Sequence, residues 1–177
     1  MYKTIENFLD NKLMEETKNV VLDMEFPWRY RKEMHDNDGM YFTHSFFNDM
    51  EPRSLHFNSV IRPILKTLNG FTPIQIRANM FINGVFTRGK WHQDSYLDSK
   101  TAIFYLNTCD GGTELKINNK IKFIKAQENK MLIFDTPTLH RAVTSSDQPI
   151  RYVINLNYYE GDFGKGERAR KKINVHK

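Results

Sequence analysis

The sequence predicts a mainly β protein, a jelly roll with two N-terminal helices packed on one outer face. Downstream of residue 73, seven short runs rich in β-branched and aromatic residues alternate with turn residues, a pattern typical of antiparallel strands. No helical pattern interrupts these runs, so a parallel β-α-β arrangement is disfavoured and a sandwich or barrel is favoured. Upstream of them, two segments space their apolar residues near the helical period of about 3.6 residues.

The first helix is predicted from Ile5 to Val21, because its apolar residues form one stripe and the pattern stops before a proline. The second helix is predicted from Glu51 to Leu68. Proline suits its first turn, and an Asn-Gly pair follows its last apolar residue. Residues 26–50 between them mix aromatic and charged side chains, which indicates short strands or an ordered loop.

The β half of the chain begins with a strand predicted over residues 73–82. Turn residues such as Asn-Gly, Gly-Gly and Asn-Asn pairs separate many of the runs that follow. The remaining strands are predicted at 101–107, 112–117, 121–124, 130–135, 140–143 and 151–159.

A chain of 177 residues with 40% hydrophobic and 13% aromatic residues is long enough for one well-buried domain and short for two. We expect a single domain over residues 1–160, in which 1–70 supply helical support and loops and 73–160 form the β core. Residues 161–177 form a basic tail, with six Lys and Arg against two acidic residues. Such a tail attracts any polyanion without reading its sequence, so a solvated tail is favoured and nucleic acid is kept as an alternative partner.

Several features predict a cytoplasmic location. The only cysteine, Cys109, has no partner for an internal disulfide or a multi-cysteine zinc site. The sequence has no run of about 18 apolar residues, the length that spans a bilayer, and acids and amides stand near its start where a signal peptide has an apolar segment. No membrane partner is expected, and no feature indicates an oligomeric state.

Three candidate metal ligands lie in the β half. His92 and Asp94 are one residue apart, so on an extended segment their side chains project to the same side. His140 follows the predicted strand over 130–135. Two imidazoles and one carboxylate form the facial triad associated with non-haem Fe(II) oxygenases. The alternative is that the H-x-D tripeptide arises by chance in a loop.

Arg151 is a candidate anion-binding residue. It opens the last predicted strand, where Arg151, Val153, Asn155 and Asn157 lie on one face. An arginine inside a barrel is costly unless it meets an anion, and a dicarboxylic ligand would satisfy it in bidentate fashion. The alternative is a rim arginine paired with an acidic residue.

These residues carry a family resemblance. From Ile76 to Tyr159 the sequence resembles the Fe(II)- and 2-oxoglutarate-dependent dioxygenases, and among them the prolyl hydroxylases, including the hypoxia-sensing branch. The matching pieces are H-x-D at His92 and Asp94, the strand IFYLN with Tyr105, the turn DGGTEL, the strand KMLIFD leading to His140, and RYVINLNYY beginning at Arg151.

The resemblance implies a double-stranded β-helix, a cupin-like jelly roll, in which the three candidate ligands hold Fe(II). It also implies that Arg151 binds the distal carboxylate of 2-oxoglutarate and that Tyr105 contacts the same carboxylate, although Tyr105 is otherwise a core aromatic. Asn155 takes a position where similar enzymes carry a small polar group near the co-substrate. The implied reaction uses dioxygen to hydroxylate a C–H bond.

The substrate implied by the resemblance is a prolyl residue of a peptide or protein. Trp91 and Arg88 are the candidate substrate contacts at the lip, with a surface role as the alternative for Arg88. Phe81 stands where the family commonly has a tyrosine, and Asn157 where prolyl hydroxylases often have tryptophan, so the substrate is not fixed. The alternatives are a dioxygenase acting on a nucleobase or small metabolite, and a non-catalytic cupin-like metal-binding protein.

Overall fold

The computed structural model describes residues 1–31, 40–68, 71–85, 87–94 and 99–160. The basic tail lies outside the described residues. The strands are β1 Tyr2–Ile5, β2 Arg29–Arg31, β3 Tyr41–Asn48, β4 Glu51–Pro52, β5 Phe71–Ile82, β6 Lys100–Tyr105, β7 Gly112–Ile117, β8 Lys120–Lys125, β9 Lys130–Asp135, β10 His140–Val143 and β11 Ile150–Glu160. The helices are α1 Asn11–Val21 and α2 Arg62–Leu68, which continues a π-helical segment, Phe57–Ile61.

The strands form a large and a small antiparallel sheet. The large sheet has the order β1-β9-β6-β11-β5-β3-β2, with β4 paired to β3, and the small sheet has the order β10-β7-β8. β11 lies inside the large sheet between β5 and β6. Beside β10, residues 87–92 add isolated bridges that pair Arg88 with Val143 and His92 with His140. This is the double-stranded β-helix architecture that the resemblance implied, and it agrees with the jelly roll predicted from the strand pattern.

The seven predicted strands are confirmed as β5 to β11, with ends that differ by at most two residues. Asn118 and Asn119, which join β7 to β8, both have positive φ angles, 49° and 59°. Two residues in this conformation match the twist of a tight hairpin. In the region predicted as short strands or loop, the described residues form β2 and β3.

Both predicted helices begin later than expected. Residues 2–5 form the edge strand β1 against β9, and α1 begins only after Asp10, whose carboxylate accepts a hydrogen bond from the Leu13 amide at 2.9 Å. This N-cap satisfies a free amide of the first turn and fixes the start of the helix. The predicted start at Ile5 is therefore wrong.

The second helix was predicted to open at Glu51 and Pro52, and this start is wrong. These two residues form β4, which pairs with the end of β3. Asp49 and Met50, with φ angles of 53° and 64°, reverse the chain between the two strands. Proline has no backbone N–H group to donate to a neighbouring strand. It is tolerated in an edge strand, where one side of the backbone has no neighbouring strand. The helical segment begins at Phe57.

The period-2 alternation of the large sheet separates two cores. Its outer face packs against the helices, and its inner face packs against the small sheet. The outer core includes Phe46, Ile76, Ala78, Phe104, Ile154 and Leu156 with helical Val21, Val60 and Ile64. The inner core includes Ile103, Tyr105, Leu132 and Val153 with Leu115 and Ile124. The polar residues of β11 thus lie on the inner face, between the sheets.

None of the described helices has the length and apolar composition needed to span a bilayer.

Candidate functional site

The structure brings the three candidate metal ligands together. One possible ligand atom from each of His92, Asp94 and His140 lies within 4.8 Å of the others. The backbones of the two histidines pair directly: the His92 amide donates to the His140 carbonyl at 3.0 Å, and the His140 amide donates back at 2.8 Å. Their rings are therefore held side by side, with centroids 4.3 Å apart.

Hydrogen bonds to the backbone orient both imidazoles. Nδ1 of His92 lies 3.1 Å from the Lys90 carbonyl oxygen, and Nδ1 of His140 lies 2.9 Å from that of Thr138. A carbonyl oxygen only accepts, so each Nδ1 is the protonated donor in the neutral ring. Nε2 then carries the lone pair in both rings, as a metal ligand requires.

A row of polar side chains orients Asp94. The Asn157 amide donates to Oδ2 of Asp94 at 2.6 Å, and the Thr101 hydroxyl donates to the same oxygen at 3.2 Å. Thr101 also contacts Thr136, which accepts from Ser99 at 2.9 Å. These bonds hold Oδ2 of Asp94 in place and so orient the carboxylate. Sequence reasoning missed Thr101 and gave Asn157 no contact with Asp94, because these partners are distant along the chain.

The guanidinium group of Arg151 is buried, and two of its nitrogen atoms make no hydrogen bond to the described residues. Its side chain is 1% exposed, and neither Nε nor Nη1 has a hydrogen-bond partner among the described residues. Its guanidinium carbon lies 4.7 Å from the centre of the Phe81 ring. Burial lowers the pKa of Arg151, partly offset by Tyr105 and Cys109. This burial contradicts the alternative of a rim arginine paired with an acidic residue.

Arg151 and the two histidines line one cavity, which has an empty volume of about 610 Å³ with its open mouth included. Asn155 also lines the cavity, and its Oδ1 is buried with no partner among the described residues. The lining residues that sequence reasoning did not single out include Tyr41, Asn79, Thr113 and Arg141.

Tyr105 is fully buried behind the cavity. Its hydroxyl donates to the Thr113 hydroxyl at 2.9 Å, and it is Thr113 that lines the cavity. Burial raises the pKa of Tyr105 to about 12, despite the opposing effect of Arg151, so the phenol stays protonated as a donor. Direct contact of Tyr105 with a ligand therefore stays a prediction from the resemblance, since Thr113 lies between the phenol and the cavity.

A buried carboxylate lies next to Thr113 and holds two arginines. Glu114 accepts hydrogen bonds from Nε of Arg88 at 3.1 Å and from Nε of Arg141 at 2.6 Å. Burial would raise the pKa of Glu114, but the bonds from Arg141 and Arg88 outweigh it, so the pKa is lowered. The Arg141 guanidinium stacks over the Trp91 ring at 4.3 Å. Of the two predicted lip residues, Trp91 stacks with Arg141 and Arg88 shares the Glu114 carboxylate with it, but of these three only Arg141 lines the cavity.

No family model and no curated protein sequence matches the chain. Solved structures do. A 2OG-Fe(II) oxygenase family oxidoreductase from Burkholderia pseudomallei has a TM-score of 0.68 at 9% identity, covering 89% of this chain and 85% of that one. A prolyl hydroxylase from Trichoplax adhaerens, in complex with a hypoxia inducible factor peptide fragment, has a TM-score of 0.66 at 19% identity, covering 90% and 83%.

The chain has the fold of the 2-oxoglutarate- and Fe(II)-dependent oxygenases. The epimerase SnoN, in complex with Fe³⁺, α-ketoglutarate and nogalamycin RO, shares this oxygenase fold at a TM-score of 0.63 and 10% identity, covering 90% of this chain and 78% of that one. Identities this low establish the architecture alone.

Proposed function

We propose that this protein is an Fe(II)- and 2-oxoglutarate-dependent oxygenase that hydroxylates a C–H bond, with a prolyl residue of a peptide or protein as the candidate substrate. One observation carries the proposal. Buried Arg151, with two donor nitrogens that lack partners among the described residues, shares a cavity with the paired histidines. A cation held inside a cavity beside a two-histidine, one-carboxylate cluster fits a ligand with an anion at one end and metal-binding oxygens at the other.

His92, Asp94 and His140 would hold the iron. Two neutral imidazoles and a carboxylate are the donor set of non-haem Fe(II) sites with open positions, so the residues present fit the metal. When bound, Fe(II) supplies the redox chemistry by which dioxygen converts 2-oxoglutarate to succinate and carbon dioxide and places one oxygen atom on the substrate carbon. The protein contributes geometry: the carbonyls of Lys90 and Thr138 keep both Nδ1 atoms protonated.

Arg151 would bind the distal carboxylate of 2-oxoglutarate through its Nε and Nη nitrogens. This contact would compensate the buried charge and would be a strong, charge-assisted pair in a dry cavity. The Thr113 hydroxyl, which accepts from Tyr105, can donate its own proton to the same carboxylate. Oδ1 of Asn155 is an acceptor, so it can receive a bond from a substrate or water donor.

The prolyl substrate is supported by the overall likeness to the prolyl hydroxylase fold. Two residues of this chain differ from that family's common pattern. Phe81 stands where the family often has tyrosine, and Asn157 stands where it often has tryptophan. The first places a phenyl ring under the Arg151 guanidinium, and the second supplies an amide to Asp94. A non-catalytic cupin-like binder is disfavoured, since a metal site alone does not require an internal arginine.

The test is an anaerobic titration with Fe(II) and 2-oxoglutarate, following the weak visible charge-transfer band of the chelate. The wild-type chain should develop the band, His92→Ala should lose it, and Arg151→Gln should need far more 2-oxoglutarate to reach it. Lys122→Gln, on the exposed strand β8, is the control and should match wild type. Absence of the band in a wild-type chain that binds metal would refute the co-substrate assignment. If the band appears, succinate release in the presence of dioxygen would identify substrates among prolyl peptides.

A further inference from the structure

A second cavity opens at the β2 end of the large sheet. Its empty volume, which includes open solvent, is about 1440 Å³, and β2, β3 and residues 53–56 supply most of its lining. We call it the arginine groove. None of its lining residues is Asp or Glu, whereas its basic lining residues are Arg29, Arg31, Arg53, Arg77, His44 and His56.

The arginine groove adjoins the cavity of the candidate iron site. Arg77 lies directly opposite Asn155 in the pairing of β5 with β11, and Asn155 lines that cavity. Thr43, which lines the groove, lies opposite Asn79, which lines the cavity. Paired residues on neighbouring strands are about 5 Å apart. A ligand on this face of the sheet can therefore reach from the groove into the cavity.

Two arginines of the groove are available for an anion. Arg53 already pairs with Asp49 and Glu51, at 3.2 and 3.0 Å. Arg29 and Arg31 are exposed, and neither forms an ion pair with another described residue. They are two positions apart on β2, so their side chains leave the same side of the strand about 7 Å apart. That spacing matches carboxylates at alternating positions of an extended peptide.

The position of β2 favours a peptide over a nucleic acid. β2 is the terminal strand of the large sheet, and no strand among the described residues pairs with its outer edge. An edge strand offers amide and carbonyl groups that an extended peptide can pair with, adding one strand to the sheet. A nucleic acid backbone has no amide pattern to match this edge, although its phosphates would be attracted to the same arginines.

We propose that Arg29 and Arg31 bind an acidic, extended segment of a peptide substrate, laid along β2 so that a neighbouring residue of the peptide enters the cavity. This inference rests on the proposed function, since it names the substrate class of that same site. The charge of Arg29 and Arg31 at the sheet edge would then select the peptide substrate, and the cavity would select 2-oxoglutarate.

The experiment measures binding to the full chain by fluorescence anisotropy. The probes are a labelled peptide of about ten residues, enough to run along the groove, with alternating Glu and Pro, its counterpart with Gln in place of Glu, and a single-stranded DNA of similar length. Arg29→Gln with Arg31→Gln is compared with Lys120→Gln with Lys122→Gln on β8, which removes the same charge from the small sheet. Thermal melts confirm that both double variants are folded.

The acidic peptide should bind better than its Gln counterpart, and the arginine variant should weaken its binding about tenfold, as expected for two charge-assisted contacts. The lysine variant should stay within about twofold of wild type, since screened distant charges contribute little. Equal losses in both variants, or equal binding of both peptides, would overturn the proposal. So would DNA binding that exceeds peptide binding and depends on Arg29 and Arg31.

The charge-transfer band of the wild-type chain, measured in the anaerobic titration, distinguishes failure of the peptide-groove proposal from failure of the oxygenase proposal. A normal band without selective peptide binding would overturn the peptide groove and leave the oxygenase assignment standing. Selective peptide binding without a band would overturn the oxygenase assignment, and the groove would then be the binding site of an acidic peptide alone.

Discussion

The buried charge of Arg151 carries a cost to stability. Its charge is buried, and the described residues offer no carboxylate to compensate it. Buried charges are tolerated when a ligand supplies the missing partner, so the chain without 2-oxoglutarate should be strained at this residue.

Replacing Arg151 with Met, a side chain of similar length without charge, should raise the free energy of unfolding of the ligand-free chain by about 1–4 kcal/mol. Urea unfolding with and without 2-oxoglutarate measures this, and the variant should no longer be stabilised by the co-substrate. Arg53→Met is the control: Arg53 is exposed and paired, so the change should stay within about 0.5 kcal/mol. A loss of stability in Arg151→Met would mean that the charge is already compensated.

Glu114 makes the contacts of Arg88 and Arg141 sensitive to acid. Its pKa is lowered in the folded chain, because the bonds from Arg141 and Arg88 outweigh the effect of burial. A lowered pKa contributes stability that is present above the ordinary value of 4.5 and is lost as the pH falls through the folded-state pKa.

Glu114→Gln should therefore lower the free energy of unfolding by about 1–2 kcal/mol at neutral pH, since Arg88 is half exposed and solvent weakens its bond. The difference from wild type should shrink as the pH falls below 4.5. Urea unfolding at several pH values provides the measurement. Glu16→Gln, which removes an exposed pair with Lys12 at 3.9 Å, should change little at any pH. A difference that persists unchanged at low pH would refute the role of the charge.

At the scale of elements, strand pairing places the groups around Asp94. Thr101 of β6 lies opposite Asn157 of β11, and both donate to the same carboxylate oxygen. Thr136, just after β9, extends this row. Three elements thus orient one candidate ligand, and their register determines which hydroxyls reach it.

Thr101→Val keeps the shape of the side chain and removes the hydroxyl, so metal affinity should fall about tenfold, as for other outer contacts of metal ligands. Titration with Mn(II), followed calorimetrically, measures the affinity without catalysis. Thr101→Ser should restore it, because the hydroxyl returns. Thr67→Val, which removes a hydroxyl bonded to Pro63 within α2, is the matched control and should bind metal normally. Normal affinity in Thr101→Val would exclude the orienting role.

At the scale of the whole molecule, the candidate site draws on both sheets. His92 and His140 come from the small-sheet side and Arg151 from the large sheet, and the inner core fills the space beside them. A metal with its chelated co-substrate would therefore bridge the two layers. Ligands that bind only the folded state stabilise it by mass action.

Mn(II) and 2-oxoglutarate together should raise the melting temperature of the wild-type chain. At ligand concentrations about 100 times the dissociation constant, the stabilisation is about 2.7 kcal/mol. Removing the metal with EDTA should reverse the shift, and His140→Ala should show none. Differential scanning calorimetry measures each case. A wild-type chain whose melting temperature ignores both ligands would contradict a site between the sheets.

Local patterns accounted for much of the molecule. β5 to β11 were predicted because alternating apolar residues and Asn or Gly turns are read within a few positions of the chain. The three candidate ligands and Arg151 were singled out by their residue types and spacing. The helix starts were missed, because Asp10 caps one helix and β4 precedes the other, and strand pairing competes there with helical periodicity.

The strand pattern, the inner face of β11 and the residue types able to hold a metal and an anion could be predicted, because each depends on neighbours a few residues away. Which distant groups meet could not be predicted, because that depends on how the strands pack together. Asn157 donates a hydrogen bond to Asp94, which lies 63 residues earlier in the chain, and Glu114 forms ion pairs with both Arg88 and Arg141. Strand order also places Arg29 and Arg31 at a sheet edge, where they line the arginine groove beside the cavity. Such contacts depend on strand order and register, which no local pattern specifies.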